Sequence, residues 1–493
     1  RSRGNRAGHA AGDAVELPYL VVAILAAAFT GRLSQTPFVD GDLYWQRFLG
    51  AYVIAHHALP TALGSETFTA AGAPWTPQEW LLGLAAFAAM SHGALWMLVV
   101  AAGGALAATL LAVARRGRIG SGSAMSVTLT TLLCAADLEG SFGIRAQVFA
   151  WPLFALLLLV LDLDGPAVFA VLAIVVVWAN VHASVMLAVP IVWIDAAATL
   201  WQRGMRHVQT QRRLLLALLV PLATLATPLG IALPRYAWML IGSPIRRSIN
   251  EWQPISLHDD FFWVGAVPML VLVALCVRTL ARERPRDLVW IGMLTAMSVL
   301  AVRDAALLGI VVAPAAARAI DLLRTRLNWK PPDTPASSRT RRLAIAATVL
   351  AAALAFVVTL RLPAKNAWTG PAATFARLAA SGTTRHVFCY DFSVCSMALQ
   401  YGNLRVFMDG RADPYPLWVW SDFDRIRAVR PGWEQRLDAD GVDTVVVKRG
   451  DALDAALAKK RRWKVGPSVD RCCRVYERAR MVVQTWRRLG GRP

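Results

Sequence analysis

Charge is scarce in this chain. Of its 493 residues 17% are Asp, Glu, Lys or Arg, while 56% are hydrophobic and the mean hydropathy is +0.45. A soluble domain carries roughly 25% charged residues, so the composition excludes a soluble enzyme, and its apolar excess excludes a disordered chain. Cysteine is sparse as well, six in all, which excludes a disulfide scaffold. No internal repeat suggests a secondary transporter built from two halves. Acidic residues are the scarcer sign, 32 against 52 Lys plus Arg, for a formal net charge of +20. In a soluble protein that excess points to nucleic acid. In an apolar chain it is the positive-inside signature of cytoplasmic loops, and no nucleic-acid partner is expected.

What the chain has in abundance is uncharged runs of about 17 to 22 residues, the length that crosses a bilayer core. They fall near 15–33, 94–114, 120–137, 146–163, 166–181, 184–201, 214–232, 263–281, 287–302, 305–322 and 343–361, which predicts about 11 transmembrane helices. Basic clusters at Arg1–Arg6, Arg115–Arg118, Arg203–Arg213, Arg282–Arg286 and Arg324–Arg342 separate them. All five clusters share the cytoplasmic side if the apolar stretch 79–92 is a partial or interfacial helix. The N-terminus is then cytoplasmic, the first run is a retained anchor and not a cleaved signal, and everything after Leu362 is extracytoplasmic. The expected organisation is a transmembrane domain over 1–362, with a first outer loop at 32–78, and an extracytoplasmic domain over 363–493. In the latter, β-branched runs at His386–Tyr390, Arg405–Met408 and Thr444–Lys448 alternate with helical patterns, which predicts a small parallel α/β domain ending on a strand near Arg474–Glu477. It has no G-x-G-x-x-G or P-loop, so its fold alone implies no nucleotide site. Cys389, Cys395, Cys472 and Cys473 lie in this domain, and a bridge from its first strand or helix to its terminal strand is expected.

Ionisable residues at helix ends are costly unless they serve a site, and here they gather on the outer side. Asp40 and Asp42 flank one glycine after the first span. Two carboxylates so spaced can hold a divalent ion, Mg or Mn, or place one oxygen as a general base; Asp42 can equally cap the helix that follows it. Glu79 precedes the interfacial helix. Arg145 begins a span with a planar fork suited to phosphate oxygens, or snorkels to the interface. Asn180 and His182 close another span, His182 as a proton carrier, a donor to phosphate or a structural residue. Arg246, Arg247, Glu251 and Trp252 mix phosphate-binding with sugar-stacking side chains in one loop, and Arg303 with Asp304 sits in the last outer hairpin. Asp409, Arg411 and Asp413 follow a strand, where ligand residues collect in open α/β sheets, although a bracing role suits them better.

Several stretches carry a resemblance. Phe38-Val-Asp-Gly-Asp-Leu-Tyr-Trp-Gln46, Ala55-His-His-Ala-Leu-Pro60 and Phe68 through Trp80 resemble the first outer loop of a group of bacterial polytopic proteins similar to the C-type (GT-C) glycosyltransferases. Ile144-Arg-Ala-Gln-Val-Phe, Trp178-Ala-Asn-Val-His, Thr227-Pro-Leu-Gly, Glu251-Trp-Gln-Pro, Val302-Arg-Asp and Met408-Asp-Gly-Arg-Ala-Asp-Pro-Tyr extend the likeness over nearly the whole chain. The chain departs from the group at Ala183, where Gly is common, and at Asp391-Phe-Ser-Val, where an Asp-x-Gly-Gly-like turn is usual. The resemblance implies a bacterial inner-membrane transferase that uses a polyprenyl-phosphate-linked sugar donor and a glycan, lipid or protein acceptor. It implies an acidic base or metal ligand in the first outer loop, Asp42 or Asp40. The competing expectation is a non-enzymatic lipid-linked glycan transporter or membrane assembly subunit using the same basic outer residues.

Overall fold

The computed structural model describes residues 17–36, 41–121, 123–163, 168–329, 338–361 and 370–479. The chain forms two compact units. The helical unit comprises Arg1–Val39, Gln46–Pro60 and Thr76–Trp368; the sheet unit comprises Asp40–Trp45, Thr61–Trp75 and Thr369–Pro493.

In the helical unit the helices are α1 (Leu17–Gln35), α2 (Asp42–His56, whose first four residues group with the sheet unit), α3 (Trp80–Ser91), α4 (Leu95–Gly120), α5 (Ala124–Glu139), α6 (Ala146–Asp162), α7 (Val168–Val181) and α8 (Ala188–Arg203). There follow α9 (Val208–Ala223), α10 (Ala232–Ile241), α11 (Asp260–Val264), α12 (Ala266–Leu275), α13 (Val277–Glu283), α14 (Pro285–Leu300), α15 (Ala305–Arg326) and α16 (Ser338–Arg361). Each run expected to cross a membrane contains helix among the described residues, but that at 214–232 is helical only to Ala223 and leads through turns to α10. Among the described residues five segments are long and apolar enough to cross a membrane: α1, α4, α8 with its leading turn from Ala183, α15 with its leading turn from Val302, and α16. A sixth arises if the stretch Asp260–Glu283, bent by 82° near Cys276, counts as one span. α5, α6, α7, α9 and α14 are shorter, so the count of 11 is not reached on length alone. α3 is the short helix expected at 79–92.

Helix ends follow local chemistry. The Ser123 hydroxyl accepts the Ser126 N–H at the start of α5, as an N-cap should. Pro285 opens α14, where its missing N–H costs nothing. α15 is the axis of the unit. From Ala305 to Ala317 its residues are buried all round, and its run of Ala and Gly lets α4, α5, α12 and α14 approach closely.

The sheet unit contains α17 (Ala372–Ala379), β1 (Arg385–Cys389), α18 (Phe392–Cys395), β2 (Leu404–Val406), α19 (Leu417–Arg427), α20 (Trp433–Ala439), β3 (Thr444–Lys448), α21 (Ala452–Ala458), β4 (Trp463–Val465) and β5 (Cys473–Arg478). The strand order is β2-β1-β3-β5-β4. β1 pairs in parallel with both β2 and β3, but β5 runs antiparallel to β3 and β4. The sheet is therefore mixed and not parallel, because the short link between β4 and β5 holds no crossover helix and can only reverse the chain. The loop segment Thr61–Trp75 extends the sheet at β2: Val406 N–H donates to Glu66 O at 2.8 Å, and Phe68 stacks on His386 with ring centroids 4.3 Å apart. An edge strand covered in this way is closed to further pairing. Cys389 bridges to Cys395, and Cys472 adjoins Cys473. The expected link from the first strand or helix to the terminal strand is not made; both pairings are local.

Candidate functional site

Six of the residues singled out by chemistry meet at one end of the helical unit. Glu79 precedes α3 without capping it. Its carboxylate accepts from Gln46 Nε2 at 2.7 Å and Gln78 Nε2 at 2.9 Å, and His182 Nε2 stands 3.7 Å away. Gln78 also accepts the Ala183 N–H at 2.7 Å, which ties the start of α3 to the turn after α7. Burial pushes the Glu79 carboxyl above its ordinary range, against the two amides and the charges of Arg303 and Arg145.

His182 is held as a neutral ring. Its Nδ1 accepts the Ser184 N–H at 3.1 Å, capping the short 3-10 turn Ala183–Leu187, so the ring proton sits on Nε2 and faces Glu79. Burial, with Arg303 adding to it, depresses its pKa to about 3. It is therefore a fixed donor at neutral pH and not a proton carrier.

Arg145, in extended backbone at the start of α6, forms an ion pair with Glu251. Burial opposes ionisation of Glu251, but Arg145 and Arg303 outweigh it and hold its carboxyl below the usual range. Arg303 is positioned differently. Its turn, Val302–Asp304, is tied to the preceding loop by Val302 N–H donating to Gln253 O at 3.0 Å. Its Nη2 donates to Gln147 Oε1 at 3.1 Å, and its guanidinium lies 5.3 Å from the Trp252 ring centre, an interaction of cation and π face. Among the described residues no carboxylate lies within ion-pair distance of Arg303. Gln147 Nε2 and Gln46 Oε1 are buried without a hydrogen-bond partner among the described residues.

Other candidates stand apart. Asn180 Nδ2 donates to Val176 O and Ala226 O, each at 2.8 Å, and so packs α7 against the segment after α9. Arg246 donates to Ile241 O at 3.0 Å while its charge acts on the Asp304 carboxyl, Arg247 is exposed, and the carbonyls of both accept from Gln253 Nε2. Gln46 and Gln147 are the participants that residue-type reasoning passed over. Gln147, two residues after Arg145 at the same span start, could have been found by its place, whereas nothing in the sequence set Gln46 apart.

Asp42 belongs to the sheet unit, at the first position of α2. Asp40 lies outside the described residues. The glycine between them is required: a Cβ on Gly41 would collide with the Ser393 carbonyl oxygen. Gly410 is required for a similar reason, since its Cβ would stand 2.8 Å from Asp42 Oδ1 and 2.8 Å from Ser396 Oγ. Asp42 Oδ1 also accepts from Trp45 Nε1 at 3.2 Å. In the same unit Arg411 is fully buried and bonded to Asp409 at 2.8 and 2.6 Å and to Glu66 at 2.8 Å, with Tyr415 donating to Asp409 at 2.6 Å. That network braces the loop 61–75, which is the structural role the sequence favoured. Among the described residues, which do not include Asp40, no three His, Cys, Asp or Glu side chains are grouped as ligands for a metal ion.

No protein-family profile and no curated protein sequence matches the chain. Solved structures do. The archaeal oligosaccharyltransferase AglB from Archaeoglobus fulgidus, in complex with an inhibitory peptide and a dolichol-phosphate, matches with a TM-score of 0.57 at 10% identity, over 87% of this chain and 69% of that one. ArnT from Cupriavidus metallidurans bound to undecaprenyl phosphate matches with a TM-score of 0.50 at 15% identity, over 94% of this chain and 98% of that one. The protein has a GT-C glycosyltransferase-like fold.

Proposed function

We propose that the protein is a multi-pass membrane glycosyltransferase that moves a sugar from a polyprenyl-phosphate-linked donor to an extracytoplasmic glycan, lipid or protein acceptor. The observation that carries this reading is Arg303, a guanidinium at the end of an apolar bundle held by an amide and an indole instead of a carboxylate. Its field acts on Glu79, Glu251 and Asp304, but with no carboxylate paired to it directly it can meet an anion, and the unpartnered Gln147 Nε2 adds a second donor beside it. The phosphate chemistry of that anion is supported by the two similar structures, which hold a dolichol-phosphate and an undecaprenyl phosphate. On this reading the N-terminus is cytoplasmic and the sheet unit lies outside a bacterial inner membrane.

In the proposed reaction the acceptor hydroxyl gives its proton to the Asp42 carboxylate while its oxygen bonds to the anomeric carbon. The bond from that carbon to the phosphate oxygen breaks, and both electrons leave on the lipid phosphate. Arg303, with Arg145 in support, meets the developing charge. Glu79 and Glu251 are the carboxylates available to sugar hydroxyls, and Trp252 offers a face for the ring. One direct displacement inverts the anomeric centre.

The test is release of lipid phosphate from a panel of polyprenyl-phosphate sugars by the purified protein in nanodiscs, with and without Mg²⁺ or Mn²⁺. Asp42→Asn should lose about 10²-fold to 10⁴-fold in turnover. A metal dependence that disappears in Asp40→Asn assigns the ion to that pair. If no donor turns over but lipid phosphate binds equally to wild type and Asp42→Asn, the transport or assembly reading replaces this one.

A further inference from the structure

The other end of the same helices carries a second charged site that the glycosyl-transfer reading does not use. Arg286 at the start of α14 pairs with Asp162 at the end of α6 and with Asp195 on α8. Arg116 Nε donates to Asp162 at 2.8 Å, Arg213 Nε stands 3.1 Å from Asp195, and Arg284 Nη1 stands 3.2 Å from Asp287. Four arginines thus face three aspartates, and a positive charge remains. Glu283 does not cancel it, being held in a two-pronged pair by Arg318 with both contacts at 2.9 Å.

This network lines a cleft of about 190 Å³, smaller than the pockets that enclose drug-sized ligands and suited to a small polar group. Arg203, Gln202 and Gln209 rim it, while Arg213, Arg284 and Arg286 line its depth. Two further observations point to a ligand. The Arg213 side chain is 1% exposed, yet its Nη1 is buried without a hydrogen-bond partner among the described residues; a guanidinium proton left unmade inside a bundle is costly. At the rim, Trp201 is exposed directly beside Gln202 and Arg203, as an interfacial Trp is at the level of lipid headgroups.

We propose that this cleft binds a phosphate group, with the Arg213 Nη1 proton and the Arg203 guanidinium as its charge-bearing donors. Planar guanidiniums suit phosphate oxygens in pairs, and basic pockets between membrane helices take lipid headgroups in the same manner. The site is independent of the proposed transfer reaction and lies a full helix length, ~25 Å along the 17 residues of α6, from the Arg145 end.

The test uses the full chain in two arms. In the first, protein released from nanodiscs of phosphatidylcholine containing phosphatidylglycerol or cardiolipin is weighed by native mass spectrometry for retained anionic lipid. In the second, binding of inorganic phosphate is titrated in nanodiscs of phosphatidylcholine alone. Wild type should retain one anionic lipid or bind one phosphate, and the arm that responds names the source. Arg203→Glu should weaken that binding roughly tenfold or more, the scale of one charge-assisted hydrogen bond. Arg278→Glu, the same charge change at an exposed position outside the cleft, should leave it unaltered. Arg213→Gln should abolish binding; if that variant does not fold, Arg203→Glu alone decides. Binding in neither arm, or equal loss in Arg203→Glu and Arg278→Glu, overturns the proposal and leaves the network as a lock between helices.

Discussion

The two ends of α6 treat charge in opposite ways. At its start, Arg145 pairs with one carboxylate, and its neighbour Arg303 is held by one amide and an indole. At its end, Asp162 sits in a lattice where each buried carboxylate has at least two guanidiniums within 4 Å. Desolvated charges on this scale survive only when paired. In the lattice every buried carboxylate is thus answered by guanidiniums, leaving one residual positive charge and Arg213 Nη1 unpartnered, whereas at the other end, among the described residues, Arg303 has no directly paired carboxylate and unpartnered atoms belong to the amides of Gln147 and Gln46.

That contrast can be broken by substitution. The largest effect should come from Arg286→Met, which removes the guanidinium shared by Asp162 and Asp195 and leaves each with one, Arg116 and Arg213. Loss of one partner from a buried pair costs roughly 3–5 kcal/mol, so unfolding in detergent should move to markedly lower denaturant or temperature. If Arg286→Met is as stable as wild type, the lattice is not what holds that end. Next, Arg303→Gln should lower turnover about 10²-fold, the scale for removing one preorganised charge stabiliser, with the unfolding midpoint unchanged because no ion pair is broken. A fall in stability equal to the fall in activity would make Arg303 a packing residue.

A pH measurement sharpens the same comparison. The His182 pKa is about 3 in the native state against 6.5 for the free side chain. Between those values the unfolded chain takes up a proton that the folded one refuses. His182 therefore contributes stability that is fully present above pH 6.5 and is lost as pH falls toward 3. Glu79, raised by burial, acts in the opposite sense, its contribution fading as pH rises above its ordinary range. Stability measured across this window in wild type and His182→Gln should show a shallower acid slope in the variant; parallel slopes would mean His182 titrates normally. The smallest effect is expected from Arg145→Met combined with Glu251→Met. Replacing both members of a partly exposed pair should change stability by about 1 kcal/mol or less, while Arg145→Met alone, leaving Glu251 unanswered, should cost more.

Much of this was legible before any coordinates. Apolar run length marked most helices of the bundle but not α2 or α10, and strand-helix alternation located β1, β2, β3 and β5. The reversal at β4 was not legible, since three residues, Trp463 to Val465, carry no periodicity. Of the candidate site, Glu79, Arg145, His182, Glu251, Trp252 and Arg303 were recognisable by type and by their place at span ends. Asn180, Arg246 and Arg247 had the same credentials, but Asn180 serves two carbonyls, Arg247 faces solvent, and Arg246 divides itself between the Ile241 carbonyl and the Asp304 carboxyl. The local bridge between Cys389 and Cys395 was one of several pairings that spacing alone allowed.

By itself the sequence determined the solvent and the elements, because bilayer thickness and the periods of 3.6 and 2 act over neighbouring residues. Which polar groups meet was decided only by tertiary structure. Glu251 reaches Arg145 across 106 positions, and Arg286 reaches Asp162 across 124. Contacts of that separation depend on how helices pack, and packing is set by the shapes of whole buried faces, such as the small-residue surface of α15, and not by any spacing along the chain.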